Sequence, residues 1–191
     1  MSAQKTTPFL SDVQTLRERA RHAMERGPAL GGPTQVLEIL NQALATELVC
    51  ILRYKNHYFC ASGIDSPSVA EEFLEHAEQE EDHADRIAER MIQLGGYPDF
   101  NPSGLLLRSH TEFGSDFEQS LSLSSLIEED LLAEHIAIEG YREIVRFIGD
   151  HDPTTRNLME SLLAEEEKHA ADLARLLARV GARRLTASSA A

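Results

Sequence analysis

Each of four apolar seams in this chain is broken near its middle by a glutamate. The seams lie in segments of about 28 residues where apolar side chains recur every three or four positions, the period of an amphipathic helix. The first segment, 34–61, follows the breaker "GGP" and carries Leu37, Leu40, Leu44, Ile51, Tyr54 and Tyr58. The second, 67–94, carries Phe73, Ala77, Ile87, Met91 and Leu94; Ser66 is its expected N-cap, Pro67 its first helical residue and Gly95–Gly96 its stop. The third, 122–148, carries Ile127, Leu131, Ile138, Tyr141, Val145 and Ile148, and Gly149 stops it. The fourth, 153–180, is capped by Asp152, carries Met159, Leu162, Leu173, Leu176 and Val180, and is expected to end at Gly181. The sequence therefore predicts an all-α chain.

Link lengths set the topology. Residues 62–66 and 149–152 are short, so the first and second helices pair as one hairpin and the third and fourth as another. Residues 95–121 are a long link, and a helix of this size is about 42 Å long. Such a link carries the chain along the bundle, so the third helix runs parallel to the second: a four-helix bundle with one long crossover. Within the link, "LLLRSH" reads as a short helix packed on the bundle. Residues 1–33 form an N-terminal arm, 34–181 the bundle, and 182–191 a mobile tail. In the arm, "SDVQTLRERARHAMERG" predicts a short helix with a Ser11/Gln14 capping box. Its apolar face of Val13, Leu16, Ala20 and Met24 needs a partner surface.

Polar side chains fill the gap in each seam: Glu47 in the first helix, Glu80 and His83 in the second, Glu134 in the third, Glu166 and His169 in the fourth. With 22 Glu and 8 His in the chain, one Glu-x-x-His is expected about once by chance, so a single match carries no weight. Spacing carries more. Glu47 precedes Glu80 by 33 residues and Glu134 precedes Glu166 by 32, as if one unit occurred twice. The four helix midpoints fall beside the four glutamates, so rods of equal length bring the carboxylates to one level. Converging carboxylates in an apolar core cannot stay ionised and unpaired; each costs several kcal/mol to bury, and mutual repulsion adds to that. Two divalent cations balance four carboxylates and leave the imidazoles neutral. Positions i and i+3 share a helix face, so one helix offers one metal both an oxygen and a nitrogen. Ferritin-like di-iron and di-manganese carboxylate proteins use this ligand set. Iron and manganese satisfy it alike.

Other candidates are weaker. Tyr54, two turns past Glu47, could hydrogen-bond a ligand carboxylate, donate an electron or simply pack. His76, one turn before Glu80, could lie behind the ligands or meet incoming iron, with partial exposure as the plainer alternative. His57, His110, His135 and His151 are read as ordinary histidines, and Glu71, Glu72, Glu75, Glu78 and Glu81 as a solvated face. Cys50 and Cys60 stand about 15 Å apart along one helix, too far to bridge, and are expected as free thiols.

The net charge of −14 argues against a nucleic-acid binder and suits a protein that attracts cations. The arm's basic residues give it an excess of only +2 over Asp12, Glu18 and Glu25, so DNA binding is not expected. No apolar run is expected to cross a membrane, and no secretory signal is read at "MSAQKTTPFL"; a cytoplasmic protein is expected.

At these residues the chain resembles the ferritin-like superfamily, closest to bacterioferritins and Dps-like ferritins. "LNQALATELVCILRYKNHYF" is similar to their first helix, "EEDHADRIAERMIQLGGYP" to the second, "EDLLAEHIAIEGYREIV" to the third and "AEEEKHAADL" to the fourth, and the likeness spans 34–180. The resemblance implies two iron ions per subunit at Glu47, Glu80, His83, Glu134, Glu166 and His169, with Glu80 and Glu166 bridging and Glu47 and Glu134 terminal. It implies a ferroxidase that oxidises Fe2+ with O2 or H2O2 inside a homo-oligomeric iron-storage or peroxide-detoxifying cage. Bacterioferritins bind haem through a Met directly after the second-helix ligand Glu; Glu81 stands there, so haem is not expected. They also carry a fifth helix, for which little chain remains here. These departures favour a twelve-subunit Dps-like cage over one of twenty-four. The rival is a stand-alone di-metal oxidase or peroxidase, rubrerythrin-like or manganese catalase-like.

Overall fold

The computed structural model describes residues 13–26, 34–63, 66–113 and 122–188. They form helices and no strand: α1 (Val13–Arg26), α2 (Thr34–Gly63), α3 (Pro67–Gln93), a 3-10 turn (Pro102–Gly104), α4 (Leu105–Arg108), α5 (Leu123–Ile148) and α6 (Pro153–Ser188).

Contacts across the bundle fix the direction of each rod. Along α2, residues 47, 54 and 57 meet residues 141, 134 and 130 of α5, so those two helices are antiparallel. Along α3, residues 79, 86 and 90 meet residues 169, 165 and 152 at α6, again antiparallel. With α2 and α3 joined by a short link, α5 runs parallel to α3, the arrangement that needs the crossover.

The crossover climbs α2 in steps. Asn41 Oδ1 accepts from the Asp99 amide at 2.8 Å, and Thr46 Oγ1 from the His110 amide at 3.0 Å. Buried Arg53 donates to Thr111 Oγ1 at 2.8 Å and to the Glu112 carbonyl. Between these ties α4 seats Leu105 against Ala45 and Val49, so the "LLLR" of "LLLRSH" forms a packed helix, with Ser109 and His110 beyond its end.

Helix ends follow local chemistry. Gly95, at φ 77°, lets α3 close with Gly95 N–H on Ile92 O and Gly96 N–H on Met91 O, the paired bonds of a Schellman stop. Gly149, at φ 51°, ends α5. Ser122 and Ser125 exchange side-chain bonds at the start of α5. Asp152 Oδ1 caps α6 by accepting from the Thr155 amide at 3.0 Å. Two expectations fail. Ser66 occupies the N-cap of α3, but its side chain makes no capping bond; only its carbonyl accepts. Gly181 does not end α6, which runs on to Ser188. Gly181 lacks positive φ, and the Ala and Arg residues on either side of Val180 and Gly181 favour helix, so its cost of about 1 kcal/mol does not break the helix. Most of the expected mobile tail is therefore helical, its last three residues lying outside the described set, as does Ser11 of the proposed capping box. Leu16 and Met24 of α1 are exposed, so that part of the apolar face finds no cover among the described residues.

Two apolar slabs fill the bundle. One holds Leu40, Leu44, Ile87, Met91, Ile148, Met159 and Leu162; the other holds Phe73, Ala77, Ile127, Leu173 and Leu176. Each of these side chains larger than alanine contributes about 1.5–3 kcal/mol. Between the slabs lies a layer of buried polar groups. By length and composition the 34–61 stretch of α2 could span a membrane, contrary to the sequence expectation. Its inner face nevertheless buries Glu47, Arg53 and His57 against α5 and the crossover, as a core helix does.

Candidate metal centre

All six expected ligands meet in the polar layer, none more than 2% exposed. Glu47, Glu80, His83 and Glu166 offer ligand atoms that all lie within 4.8 Å of one another, and so do Glu80, Glu134, Glu166 and His169. The two sets share Glu80 and Glu166. Each shared carboxylate turns one oxygen toward each imidazole. Glu80 places Oε2 3.1 Å from His83 Nδ1 and Oε1 3.4 Å from His169 Nδ1. Glu166 places Oε1 2.9 Å from His83 Nδ1 and Oε2 3.6 Å from His169 Nδ1. Glu47 Oε2 adds to the first group, 3.4 Å from His83 Nδ1, and Glu134 Oε2 to the second, 3.8 Å from His169 Nδ1.

A second ring of residues holds these six in place, and it repeats the two-fold pattern. Tyr141 of α5 donates to Glu47 Oε1 at 2.5 Å, and Tyr54 of α2 donates to Glu134 Oε1. Each tyrosine stands seven residues after the glutamate of its own helix and serves the glutamate of the other. Likewise His83 Nε2 meets Glu165 Oε2 at 3.1 Å, and His169 Nε2 meets Gln79 Oε1 at 2.6 Å. Each of these partners directly precedes a shared glutamate. The outer nitrogens are thus tied down by hydrogen bonds, which leaves each Nδ1 turned inward toward the carboxylates. Arg86 anchors Glu165 at 2.9 Å.

The arrangement is unfinished as a hydrogen-bond network. Glu47 Oε2, Glu80 Oε1, Glu166 Oε2 and His169 Nδ1 are buried with no partner. Each such group costs about 1–3 kcal/mol. Without a cation, protons balance the charge. Burial, then the charges of Glu80 and Glu166, pushes the Glu47 carboxyl well above the usual carboxylate range, and burial with Glu166 does the same to Glu134. Burial also works against charge on Glu80 and Glu166, but hydrogen bonds from their neighbours outweigh it and both fall below the usual range. Burial opposes charge on the histidines too; the carboxylate hydrogen bonds win, raising His83 strongly and His169 to about 9. Two imidazolium and two carboxylate groups make a neutral metal-free site. The donor set, its inward aim and its orphaned atoms all fit a pair of divalent cations.

The weaker candidates resolve. Tyr54 and His76 are buried beside the expected ligands, with His76 Nδ1 3.1 Å from Tyr54 Oη and its ring stacked on His169 at 4.3 Å. Burial, then the neighbouring His169, lowers His76 to about 3, so it is neutral. Partial exposure was the wrong alternative for it. His57, read as ordinary, is buried and 2.8 Å from fully buried Asp130. His110, His135 and His151 are exposed; of the acidic run Glu71, Glu75, Glu78 and Glu81 face solvent, but Glu72 is half-buried. Cys50 and Cys60 are free thiols. Sequence reasoning missed Tyr141, Gln79, Glu165 and Asp130. The first three were within reach, because the repeat that pairs Glu47 with Glu134 also pairs Tyr54 with Tyr141 and Gln79 with Glu165. Asp130 has no counterpart in the other half, where Ala43 stands.

Residues 37–182 match the family model described as ferritin-like domain. A nutrient stress-induced DNA-binding protein of Synechococcus sp. is 32% identical over 148 residues, covering 76% of this chain and 82% of that protein. A bacterioferritin of Rhodobacter capsulatus is 31% identical over 139 residues, covering 72% and 80%. Among solved structures, the bacterioferritin-related protein of Bacteroides fragilis, a dodecameric thioferritin, superposes with a TM-score of 0.75 at 28% identity, covering 88% of this chain and 98% of that one. The Rhodobacter capsulatus bacterioferritin, solved with a metal-free dinuclear site and haem iron, gives 0.65 at 28% identity, over 77% and 86%.

Proposed function

Because the chain belongs to the ferritin-like family, we propose that it is an iron-storing ferroxidase whose substrate is a pair of Fe2+ ions held within one subunit. Glu47 and His83 hold one ion, Glu134 and His169 the other, and Glu80 and Glu166 span both. The observation that carries this is the shared pair of carboxylates, each with one oxygen toward each imidazole. Each Fe2+ gives up one electron. Two Fe2+ with O2 and two protons yield two Fe3+ and H2O2; two Fe2+ with H2O2 and two protons yield two Fe3+ and two waters. A paired donor matters because a lone Fe2+ would split peroxide into hydroxyl radical. The chain's residues supply the rest. Tyr54 and Tyr141 keep the terminal carboxylates aimed, Glu165 and Gln79 keep each imidazole turned inward, and the apolar slabs hold bulk water back. Manganese fits the same donors.

The product Fe3+ is stored in a homo-oligomeric cage of the cytoplasm, for which the dodecameric Bacteroides fragilis relative favours twelve subunits over twenty-four. Exposed Leu52, Phe59, Tyr97 and Leu107 supply apolar contacts for such an assembly. Glu81, where haem-binding relatives place a Met, is exposed on α3, and no haem role is assigned to it.

Aerobic Fe2+ titration followed by ultraviolet absorbance tests the reading. A break is expected at two irons per chain, lost in Glu134→Ala. A titration without a break, or a break at one iron, would refute it. A native mass near that of a dimer would instead point to a stand-alone di-metal oxidase.

A further inference from the structure

Outside the paired centre, a further group of metal-ligating side chains converges among the described residues. Glu72 and His76 stand one turn apart on α3, Asp172 faces them from α6, and ligand atoms of the three lie within 4.8 Å of one another. His76 Nε2 is 3.8 Å from Glu72 Oε1. The imidazole is buried, whereas the Glu72 and Asp172 side chains keep 30% and 17% of their surface. The group therefore has a wet side and a dry side.

Hydrogen-bond directions decide what His76 offers it. Tyr54 has a single hydroxyl proton, and it donates that proton to Glu134 Oε1. The 3.1 Å contact from Tyr54 Oη to His76 Nδ1 then needs its proton on Nδ1. A neutral imidazole protonated at Nδ1 has its lone pair at Nε2, the atom that faces Glu72. Asp172 also meets Arg175 through Oδ1, an exposed pair of small net worth, and its second oxygen remains for the cluster. His76 belongs in addition to a triad with Glu134 and His169, whose ligand atoms again lie within 4.8 Å. It is common to the outer cluster and the paired centre.

We propose that Glu72, His76 and Asp172 form a third divalent-cation site, which holds Fe2+ on its way to the paired centre. Two carboxylates and one imidazole neutralise one such ion, and this mixed oxygen and nitrogen set suits Fe2+, Mn2+ or Zn2+. The half-exposed carboxylates meet the hydrated ion, and buried His76 is where the outer site touches the inner one. The destination rests on the ferroxidase reading; the ligand set does not.

Anaerobic Co2+ binding to the full chain tests this, by equilibrium dialysis together with anomalous diffraction from Co2+-soaked crystals. Three ions per chain are expected, one of them between Glu72, His76 and Asp172. The double variant Glu72→Gln, Asp172→Asn is near-isosteric and alters half-buried groups, so folding is preserved. It is expected to lose that ion alone and to slow loading of the paired centre by limiting Fe2+ about 10-fold or more. Glu134→Gln, whose amide oxygen still accepts from Tyr54, is expected to keep the outer ion. Two ions in the parent protein with no density at Glu72, or a third ion that survives the double variant, would overturn the site. Loss of the ion with an unchanged loading rate would overturn the transit role. An outer ion bound beside a vacant paired centre would support the site while refuting the ferroxidase reading.

Discussion

Burial and repulsion hold Glu47 and Glu134 protonated, while carboxylate hydrogen bonds keep His83 and His169 cationic near neutral pH. Cation binding must displace all four of these protons, since ligands bind deprotonated. Anaerobic Co2+ addition at pH 7 is therefore expected to release four protons per filled pair, one each from Glu47, Glu134, His83 and His169, read in a pH-stat. Release of two or fewer would mean that the site is already deprotonated when empty. The tyrosines bear on aim rather than charge. Burial, then the Glu47 charge, pushes the Tyr141 phenol well above its ordinary range, so it acts as a fixed donor. Tyr141→Phe frees Glu47 Oε1 and is expected to weaken metal binding about 10- to 100-fold, the usual effect of losing a group that orients a ligand. Dialysis at graded Co2+ measures it, and an unchanged midpoint would remove Tyr141 from the site.

At the level of elements, two N-caps that look alike in sequence differ in the fold. Asp152 caps α6 and also takes Arg90 Nη2 on both oxygens at 3.0 Å, tying α3 to the start of α6. Ser66 makes no side-chain bond at the start of α3. Asp152→Ala is expected to cost about 1–2 kcal/mol and Ser66→Ala under about 0.5 kcal/mol in urea unfolding of the metal-free protein. Equal losses would refute this distinction. The capping residues were legible because they sit beside a seam's first turn; whether each side chain reaches the backbone depends on the φ/ψ of the cap. Gly181 shows the same limit. A glycine after an apolar stripe reads as a stop, but it becomes one only where the chain turns left-handed, as at Gly95 and Gly149.

Across the whole molecule, the metal-free core is a pH-sensitive object. His169 is raised from an ordinary 6.5 to about 9, and His83 is raised further. The His169 contribution is complete below about pH 6.5 and is lost as pH rises through about 9, whereas that of His83 persists to higher pH. The raised Glu47 and Glu134 act in the same direction, since folding favours their protonated forms. The depressed Glu80 and Glu166 stay ionised throughout this window and contribute no slope. Thermal stability of the metal-free protein is therefore expected to fall between pH 6.5 and 9.5, and that of the Co2+-loaded protein to change much less. Equal slopes in calorimetry would show that the imidazoles are not charged in the empty site.

The period of the seams, the glutamates at their midpoints and the two link lengths determined the bundle, its crossover and the level at which six side chains meet. They could do so because helix period and rise are properties of the backbone, independent of what the helix packs against. The tertiary structure alone decided the rest. Glu80 and Glu166 each span both imidazoles, Tyr54 and Tyr141 serve the glutamate of the opposite helix, Asp130 pairs with His57, and Glu72 and Asp172 close on His76 across two helices. Such pairings depend on the rotation and stagger of neighbouring rods. Those are set by how the apolar slabs interlock, and no single helix carries that information in its own sequence.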